Sequence, residues 1–330
     1  MRNLTLRQVR TFISVAEHLH FHRAAQALNL TAAAVSLQIK QLEDDIGMPL
    51  FARKGKHISL TTAGEYMLVY AQRMMSVLRE ARDVFSRINH IEGGRLTVGL
   101  VGTAKYFVPH ILSTFRAEHP KIEISLFLSN REGLLKALQE HKVDLAIVGG
   151  PPRELSVLAE PFALHPLVLV TAPSHPLAQR GKLPVSALEG EDFIIREIGS
   201  GCRHAVEQFL SVHSVNPHIT MEIPNNETIK QAVIAGMGMS IMSLHTIGLE
   251  LRNNLLTIVD MEDLPIMRTW HVVHLQSKVL SLAAEALRHY LLEQGEAYFV
   301  NDAVFSQYTF AEHSAQLIET AKNLTLSTMN

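Results

Sequence analysis

The 330-residue chain is poor in cysteine and aromatic residues and has no long uncharged apolar run. Cys202 is the single cysteine, so no disulfide can form within one chain, which fits the reducing cytoplasm. The longest uncharged apolar stretch, residues 231–249, contains three glycines and several polar residues, which predicts a buried helix, turn and strand instead of a membrane span. The first ten residues carry three arginines without a following apolar run, so we expect no secretory signal and a cytoplasmic protein.

The chain does contain enough apolar sequence for two or three packed domains. Hydrophobic residues make up 47% and charged residues 19%, which excludes global disorder. The net charge of −2 is unevenly distributed, because residues 1–92 hold 12 Lys and Arg against 8 Asp and Glu, and the rest holds 18 against 24. A basic N-terminal part on an acidic body predicts that only the N-terminal part meets a polyanion.

Residues 6–46 have the pattern of three short helices. Asn29 ends the second helix and Thr31 caps the third, and so short a turn predicts a helix-turn-helix. The third helix buries residues spaced by four and three, Val35, Ile39, Leu42 and Ile46. Its other face and flanks carry groups suited to a DNA major groove, namely Ala33, Ser36, Leu37, Gln38, Lys40 and Gln41. The alternative is a plain three-helix module with a solvated face.

A basic hairpin follows, with three cations around Gly55: Arg53, Lys54 and Lys56. Directly after a helix-turn-helix, such a hairpin predicts a DNA-binding wing whose cations contact phosphates or a minor groove. The alternative is a solvated turn. Residues 1–61 are therefore predicted to form a winged helix-turn-helix DNA-binding domain.

Residues 62–92 are predicted to form one long linker helix. Thr62 and Glu65 have the spacing of a capping box, and Glu92-Gly93-Gly94 ends the helix as a hinge. Apolar residues repeat with heptad spacing along it: Met67, Tyr70, Met74, Val77, Ala81, Val84, Ile88 and Ile91. This seam predicts pairing with the same helix of a second copy, and the alternative is packing on the chain's own body.

After Gly94 the pattern changes to alternating strands and helices, which predicts two α/β lobes around a cleft. The second lobe begins with a strand at residues 167–171, and a strand at 269–275 and a helix at 281–292 close the body. The body is predicted to span residues 93–295. Within it, lobe I comprises about 93–163 and 268–295, and lobe II comprises about 164–267. Residues 296–330 are predicted to form an extension with an amphipathic pattern over 310–324.

Ligands of open α/β sheets bind beyond the carboxyl ends of the strands. The loops at those ends bring hydroxyls and amides to helix N-termini, where backbone N–H groups favour an anion, and Lys105, Arg196 and Arg203 add positive charge. For any single loop the alternative is ordinary capping. The predicted ligand is a small anion with carboxylate or phosphate, and its site residues are Gly102, Thr103, Ala104, Lys105, Ser129, Asn130, Arg196, Glu197, Gly199, Ser200, Gly201, Cys202, Arg203 and Asn226.

The chain resembles the LysR-type transcriptional regulators over residues 4 to about 293. The resemblance is carried by Leu6 to Phe12, Arg23-Ala24-Ala25, Val35-Ser36, Gln38-Ile39, Gln41-Leu42-Glu43, Ile46-Gly47, Pro49-Leu50-Phe51, Arg53 and Leu60 to Gly64. It implies a type 2 periplasmic-binding-protein fold for the body, a third helix that reads the major groove, a linker helix that pairs subunits and a cleft that binds a co-inducer. It implies no enzyme activity and no catalytic cofactor.

Segments of the body resemble the subgroup that activates Calvin-cycle (RuBisCO) operons. They are Thr103 to Phe107, Asn130-Arg131-Glu132, Arg196-Glu197, Gly199-Ser200-Gly201 and Asn226 to Val233. This resemblance implies a homotetrameric activator of carbon-fixation genes, with promoter DNA, RNA polymerase and a phosphorylated or related metabolite as partners. Another metabolic operon is the alternative target.

The chain departs from the family where it reads DNA. Many members have Gln, Pro and Arg where this chain has Ala32, Ala33 and Leu37, so DNA shape and phosphate contacts should carry more of the specificity. Cys202 stands where the subgroup often has Thr, which removes one ligand hydroxyl. The predicted DNA-contacting residues are Arg23, Thr31, Ala32, Ala33, Ser36, Leu37, Gln38, Lys40, Arg53, Lys54 and Lys56.

Other classes of function find less support. A solute-binding protein or an enzyme whose N-terminal part only oligomerises is the competing hypothesis, but no nucleotide-binding glycine motif or nucleophile elbow is present. His18, His20 and His22 resemble metal ligands, yet they would splay apart on a helix-to-turn backbone, so no metal is expected.

Overall fold

The computed structural model describes residues 4–54, 57–88, 94–152 and 155–300. It divides the chain into two compact units, Met1–His90 and Ile91–Asn330, called here unit 1 and unit 2. Unit 1 contains α1 Leu6–His18, α2 Phe21–Ala27, α3 Ala32–Ile46, β1 Phe51–Lys54, β2 His57–Leu60 and α4 Thr62–Ile88. The predicted three helices, hairpin and long helix are therefore confirmed, while Gly55, Lys56, Ile91, Glu92, Gly93 and residues 310–324 lie outside the described residues.

Local capping accounts for the helix starts in unit 1. The Thr5 hydroxyl accepts from the backbone N–H of Gln8, and the Gln8 side chain accepts in return from the backbone of Thr5. A ring nitrogen of His20 caps α2, and the Thr31 hydroxyl caps α3 as predicted. Each cap satisfies N–H groups that a helix leaves without an internal partner.

The start of α4 differs from the predicted capping box at Thr62 and Glu65 by one residue. The helix begins at Thr62, and the hydroxyl of Thr61 accepts from the backbone N–H of Gly64 at 3.0 Å. The same hydroxyl donates to the carbonyl of Pro49 at 2.8 Å, which ties the helix start to the segment that precedes β1. Gly64 is required there, because a Cβ would lie 2.1 Å from the carbonyl oxygen of Leu50.

Unit 2 is an α/β body. Its strands are β3 Gly94–Val101, β4 Ile122–Ser129, β5 Leu145–Val148, β6 Val157–Thr171, β7 Asp192–Arg196, β8 His218–Ile223, β9 Ser240–Ser243, β10 Thr257–Ile258 and β11 Ile266–Leu275. Its helices are α5 Val108–Glu118, α6 Arg131–Gln139, α7 Gly201–Val212, α8 Asn226–Ile234, α9 Gly248–Arg252 and α10 Leu282–Val300.

Two lobes share the strands β6 and β11. In lobe I, β4, β3 and β5 are parallel and β11 runs antiparallel to β5. In lobe II, β7 pairs in parallel with β8, and β9 runs antiparallel to the last part of β6. Because β6 and β11 pair with each other along their length, the two lobes are joined by continuous sheet.

The length of β6 differs from the prediction. The pattern predicted a strand only over residues 167–171, but β6 begins ten residues earlier, at Val157. Pro161 and Pro166 lack the N–H of a central strand, and they obscure its pattern in the sequence. The structure accommodates Pro161 beside an irregularity in the pairing between Trp270 and His271.

Helix α10 also runs further than predicted, to Val300 instead of residue 292. Phe299 near its end is buried in the lobe I core, where its ring lies 4.8 Å from that of Phe107. Residues 296–300, predicted to start a separate extension, therefore belong to the lobe I helix.

Candidate functional site

Helix α3 presents the polar and small face that the sequence predicts. Val35, Ile39 and Leu42 are fully buried in the unit 1 core. The opposite residues are exposed, with Ala33 and Lys40 open to solvent and Leu37 57% exposed. A helix face with exposed small, apolar and basic side chains can contact thymine methyls and phosphates.

Two predicted contact residues on the flanks are partly covered. Ser36 is half-buried, and the side-chain oxygen of Gln38 accepts from the hydroxyl of Thr11 on α1 at 2.7 Å. Thr11 is buried, so this bond fixes α3 on α1. Gln38 is therefore engaged in holding the helix as well as bordering its exposed face. Arg23 on α2, and Thr31 at the cap, are exposed.

The hairpin is anchored by a carboxylate that the prediction did not include. Glu43 on α3 accepts from the backbone N–H groups of Leu50 and Phe51, at 2.8 and 3.2 Å. The ring of Phe51 packs against that of Phe12 with centroids 5.3 Å apart. This anchor places β1, with Arg53 and Lys54 in its last two positions, at a set distance from α3.

Helix α4 is only in part the free seam that its heptads predicted. Met67 is buried in the unit 1 core, so this seam residue packs on the helix-turn-helix of its own chain. Tyr70 and Val77 are 60% and 55% exposed. They belong to a stripe of exposed large apolar residues that also contains Tyr66, Val69 and Leu78. The side chains of Val84 and Ile88 lie outside the described part.

In unit 2 a cavity lies where the lobes meet. Seven predicted residues line it: Gly102, Thr103, Asn130, Arg196, Ser200, Gly201 and Cys202. Six more line it that were not among the predicted site residues: Val101, Arg131, Val148, Gly149, His165 and Arg268. Its volume of about 30 Å³ has room for about two water molecules, at roughly 10–15 Å³ for each, so a metabolite requires a side chain or a lobe to move.

Arg268 on β11 spans the cavity from one lobe to the other. Its guanidinium donates to the carbonyl of Gly201 at 3.0 Å, at the start of α7, and to the carbonyl of Gly149 at the end of β5. Arg131 donates to the carbonyls of Gly150 and Pro151, at 3.1 and 3.2 Å. Burial lowers the pKa of Arg268.

Arg196 is oriented by two predicted residues that do not line the cavity. Glu197 takes two hydrogen bonds from its guanidinium, at 2.7 and 2.9 Å, and the side-chain oxygen of Asn226 takes a third at 2.7 Å. Arg196 lies opposite Gly102, where a Cβ would come 3.9 Å from the guanidinium. Glu197 and Asn226 therefore hold Arg196, which lines the cavity, in position.

The prediction that Arg203 adds positive charge to the cavity is wrong. Its guanidinium pairs with Glu207 at 2.7 Å, one turn along α7, and with Glu222 at 2.5 Å on β8. Two carboxylates neutralise its charge, and the side chain lines a neighbouring groove instead.

Four more predicted residues lie outside the cavity wall. Ala104 is fully buried in the lobe I core, so its side chain is not available to a ligand. The Lys105 ammonium lies over the ring of Tyr106, 5.0 Å from its centroid. Ser129 precedes the α6 cap, and Gly199 lines the neighbouring groove. Sequence reasoning selects whole loops, whereas only one face of each loop borders the cavity.

A metal site is not found among the described residues, where no group of three or more His, Cys, Asp or Glu side chains is arranged to hold an ion. His20 caps α2, and a ring nitrogen of His18 lies 2.9 Å from the carbonyl of Ser14. Over the same described ranges, no helix has the length and apolar character needed to cross a membrane.

Family models match both units. The bacterial regulatory helix-turn-helix model of the lysR family matches residues 6–65, and the LysR substrate binding domain model matches residues 90–296. The chain belongs to the LysR family of transcriptional regulators. Its resemblance to this family, the winged helix-turn-helix and the two-lobed α/β effector domain are thereby confirmed.

Two curated proteins are similar to this chain over most of its length. The chain is 45% identical to the HTH-type transcriptional regulator CfxR of Cupriavidus necator over 89% of this chain and 92% of that protein. It is 40% identical to the RuBisCO operon transcriptional regulator of Allochromatium vinosum over 88% and 97%. These relatives are named as transcriptional regulators, and the chain is accordingly a DNA-binding regulator and not an enzyme.

Solved structures agree with the fold. The regulatory domain of Synechocystis PCC6803 CcmR, solved in complex with 2-PG, is 40% identical with a TM-score of 0.59 and covers 61% of this chain and 96% of that one. Full-length CbnR complexed with its target DNA has a TM-score of 0.66 over 88% of this chain and 99% of CbnR; at 19% identity this likeness concerns the fold alone.

Proposed function

We propose that this LysR-family regulator activates carbon-fixation genes in response to a small anionic metabolite. The observation that carries the proposal is the 40–45% identity to regulators such as the RuBisCO operon regulator, which extends through the effector domain and not only through the helix-turn-helix. Effector domains that are this similar in sequence favour effectors of the same chemical class.

The proposed DNA-reading surface is the exposed face of α3 with the hairpin beside it. Ala33, Leu37 and Lys40 are exposed on one helix face, which favours insertion of that face into the major groove. The remaining members of the proposed surface are Arg23, Thr31, Ala32, Ser36, Gln38, Arg53, Lys54 and Lys56, of which Lys56 lies outside the described residues.

The proposed effector site is the cavity between the lobes. Arg268 and Arg131 supply positive charge against neutral carbonyls, and Thr103 and Ser200 supply hydroxyls. These groups suit a phosphate or carboxylate, and the relative CcmR was solved with 2-PG. We infer that the ligand takes over hydrogen bonds that Arg268 now makes to the two lobes, and so changes the angle between them.

The proposed assembly is a homodimer through α4 and a homotetramer of two such pairs, acting with RNA polymerase at promoter DNA in the cytoplasm. The stripe of exposed apolar residues on α4, including Tyr70 and Val77, supports the dimer because so many large apolar groups on one helix face favour burial. The proposed domains are residues 1–61, 62–92 and 93–295, and residues beyond 295 have no assigned role.

The proposal is tested by DNA binding of the full-length protein to its own upstream region, followed by fluorescence anisotropy with and without 2-PG. We expect binding at least tenfold tighter than to a scrambled fragment, and a change of affinity or DNA bending with 2-PG. Ala33→Glu should abolish specific binding, because it adds length and negative charge on the groove-facing surface. Gln208→Glu is the matched control, as it adds the same charge at an exposed site of unit 2. Equal binding to own and scrambled DNA would overturn the proposal.

A further inference from the structure

The cavity wall contains a histidine whose polar atoms have no partner. His165 on β6 is 1% exposed, and neither ring nitrogen makes a hydrogen bond. Neighbouring rings differ in this respect, since the indole N–H of Trp270 donates to His245 at 2.9 Å and a ring nitrogen of His271 lies 3.1 Å from the carbonyl of Thr269. Both ring nitrogens of His165 are therefore without a partner, whereas Trp270 and His271 beside it each have one.

Packing holds this ring in one orientation. It stacks on Trp270 with centroids 3.9 Å apart and planes 17° apart. The backbone of Gly149 lies so close to the ring that a Cβ there would come 2.4 Å from the ring nitrogen Nδ1. The imidazole is thus packed against Trp270 and Gly149 at the cavity wall, which Arg268 also lines.

A buried imidazole without partners lowers stability, because its nitrogens lose their hydrogen bonds to water and gain none in the fold. An aromatic ring of similar shape without polar atoms would stack on Trp270 equally well. Packing therefore explains a ring at this position but not its nitrogens.

Burial, together with neighbouring positive charge, keeps the ring neutral. Burial and the positive charge of Arg268 lower its pKa well below the ordinary value, and His245 and His271 act in the same direction. A neutral imidazole has one N–H donor and one acceptor nitrogen. In the cavity, the donor suits an anionic oxygen whose charge is balanced by the neighbouring guanidinium groups.

We propose that His165 is an effector-contacting residue that donates a hydrogen bond to a phosphate or carboxylate oxygen of the ligand held by Arg268. This inference rests on the proposed function of the cavity. It adds a contact from the strand shared by both lobes, so that the ligand touches the lobe connection itself and not only the loops at its sides.

The test compares His165→Phe and His165→Gln with the wild type in the full-length protein, by calorimetric titration with 2-PG and with inorganic phosphate. Phe keeps the stacked ring and removes the nitrogens, so we expect at least a tenfold loss of affinity and an unchanged or raised Tm without ligand. Gln keeps a donor and should retain more affinity than Phe. His274→Gln, a buried histidine outside the cavity wall, is the control and should bind as the wild type does.

The outcomes separate this inference from the proposal on which it rests. Unchanged 2-PG affinity in His165→Phe, or a fall in its ligand-free Tm with affinity intact, would assign the ring a packing role and overturn the inference. If the wild type binds neither probe, the proposed ligand class fails. In that case a raised Tm of His165→Phe would still support a ring retained for contact, and a lowered Tm would overturn it.

Discussion

At the scale of single residues, Arg268 connects the two lobes. Its guanidinium donates to the carbonyls of Gly149 and Gly201, which belong to different lobes. The same five donors fit a phosphate or carboxylate in a planar, two-pronged geometry that lysine does not offer. In the proposed function, the same residue both joins the lobes and supplies positive charge to the effector.

Replacing Arg268 by Gln should lower the affinity for 2-PG at least tenfold, because a buried guanidinium is exchanged for a neutral amide. Calorimetric titration of the full-length protein measures this change. Arg203→Gln serves as the matched control, since Glu207 and Glu222 already neutralise that charge, and it should leave the affinity within about twofold. Equal losses in both variants would mean that long-range charge, and not contact in the cavity, decides binding.

At the scale of elements, the proposed DNA-reading surface combines α3 with the hairpin. The Glu43 carboxylate ties the start of β1 to α3, because it accepts from the backbone N–H groups of Leu50 and Phe51. Base-edge contacts of α3 would select sequence, whereas Arg53 and Lys54 would contact phosphates, which are the same in every sequence.

The double variant Arg53→Ala, Lys54→Ala should weaken binding to specific and scrambled DNA alike. Loss of two phosphate contacts should flatten the slope of log affinity against log salt by about 2, because each contact contributes roughly 0.9. Anisotropy titrations at several salt concentrations measure the slope. A loss confined to the specific fragment would place these residues on base edges, and an unchanged slope would exclude them from the phosphate backbone.

At the scale of the whole molecule, buried histidines cluster where the lobes join. Burial lowers the pKa of His245 to about 3 and that of His271 to about 4, from an ordinary value near 6.5. Between pH 6.5 and these lowered pKa values, the unfolded chain binds protons that the folded chain does not. The contribution of the two neutral rings to the free energy of unfolding is therefore fully present above about pH 6.5, and it is lost as the pH falls towards 4 and 3.

We therefore expect the Tm of unit 2 in the full-length protein to fall between pH 7 and pH 5. His245→Gln keeps an acceptor for the indole N–H of Trp270 and cannot be protonated, so its Tm should depend less on pH over this range. His204→Gln, at an exposed position, should follow the wild type. Thermal denaturation at both pH values checks this, and parallel pH profiles of all three proteins would contradict the expectation.

Regular local patterns account for most of what was predictable. The 4-3-4 spacing of Val35, Ile39, Leu42 and Ile46 identifies the buried face of α3, because a helix brings every third and fourth residue to one side. Strand β6 was predicted at a third of its length, since Pro161 and Pro166 interrupt the pattern while its pairing with β11 holds it in the sheet. Pairing between segments that are far apart in the chain produces no recognisable pattern in the local sequence.

The sequence by itself determined the family, the helix-turn-helix with its exposed face, and the loops that approach the cavity, because these depend on residues close together along the chain. The tertiary structure alone decided which side of each loop meets the cavity. It turned Arg203 towards Glu207 and Glu222, and it brought His165 and Arg268 from two long strands to the cavity wall. Those two residues lie 103 positions apart in the chain, and only the pairing of β6 with β11 makes them neighbours.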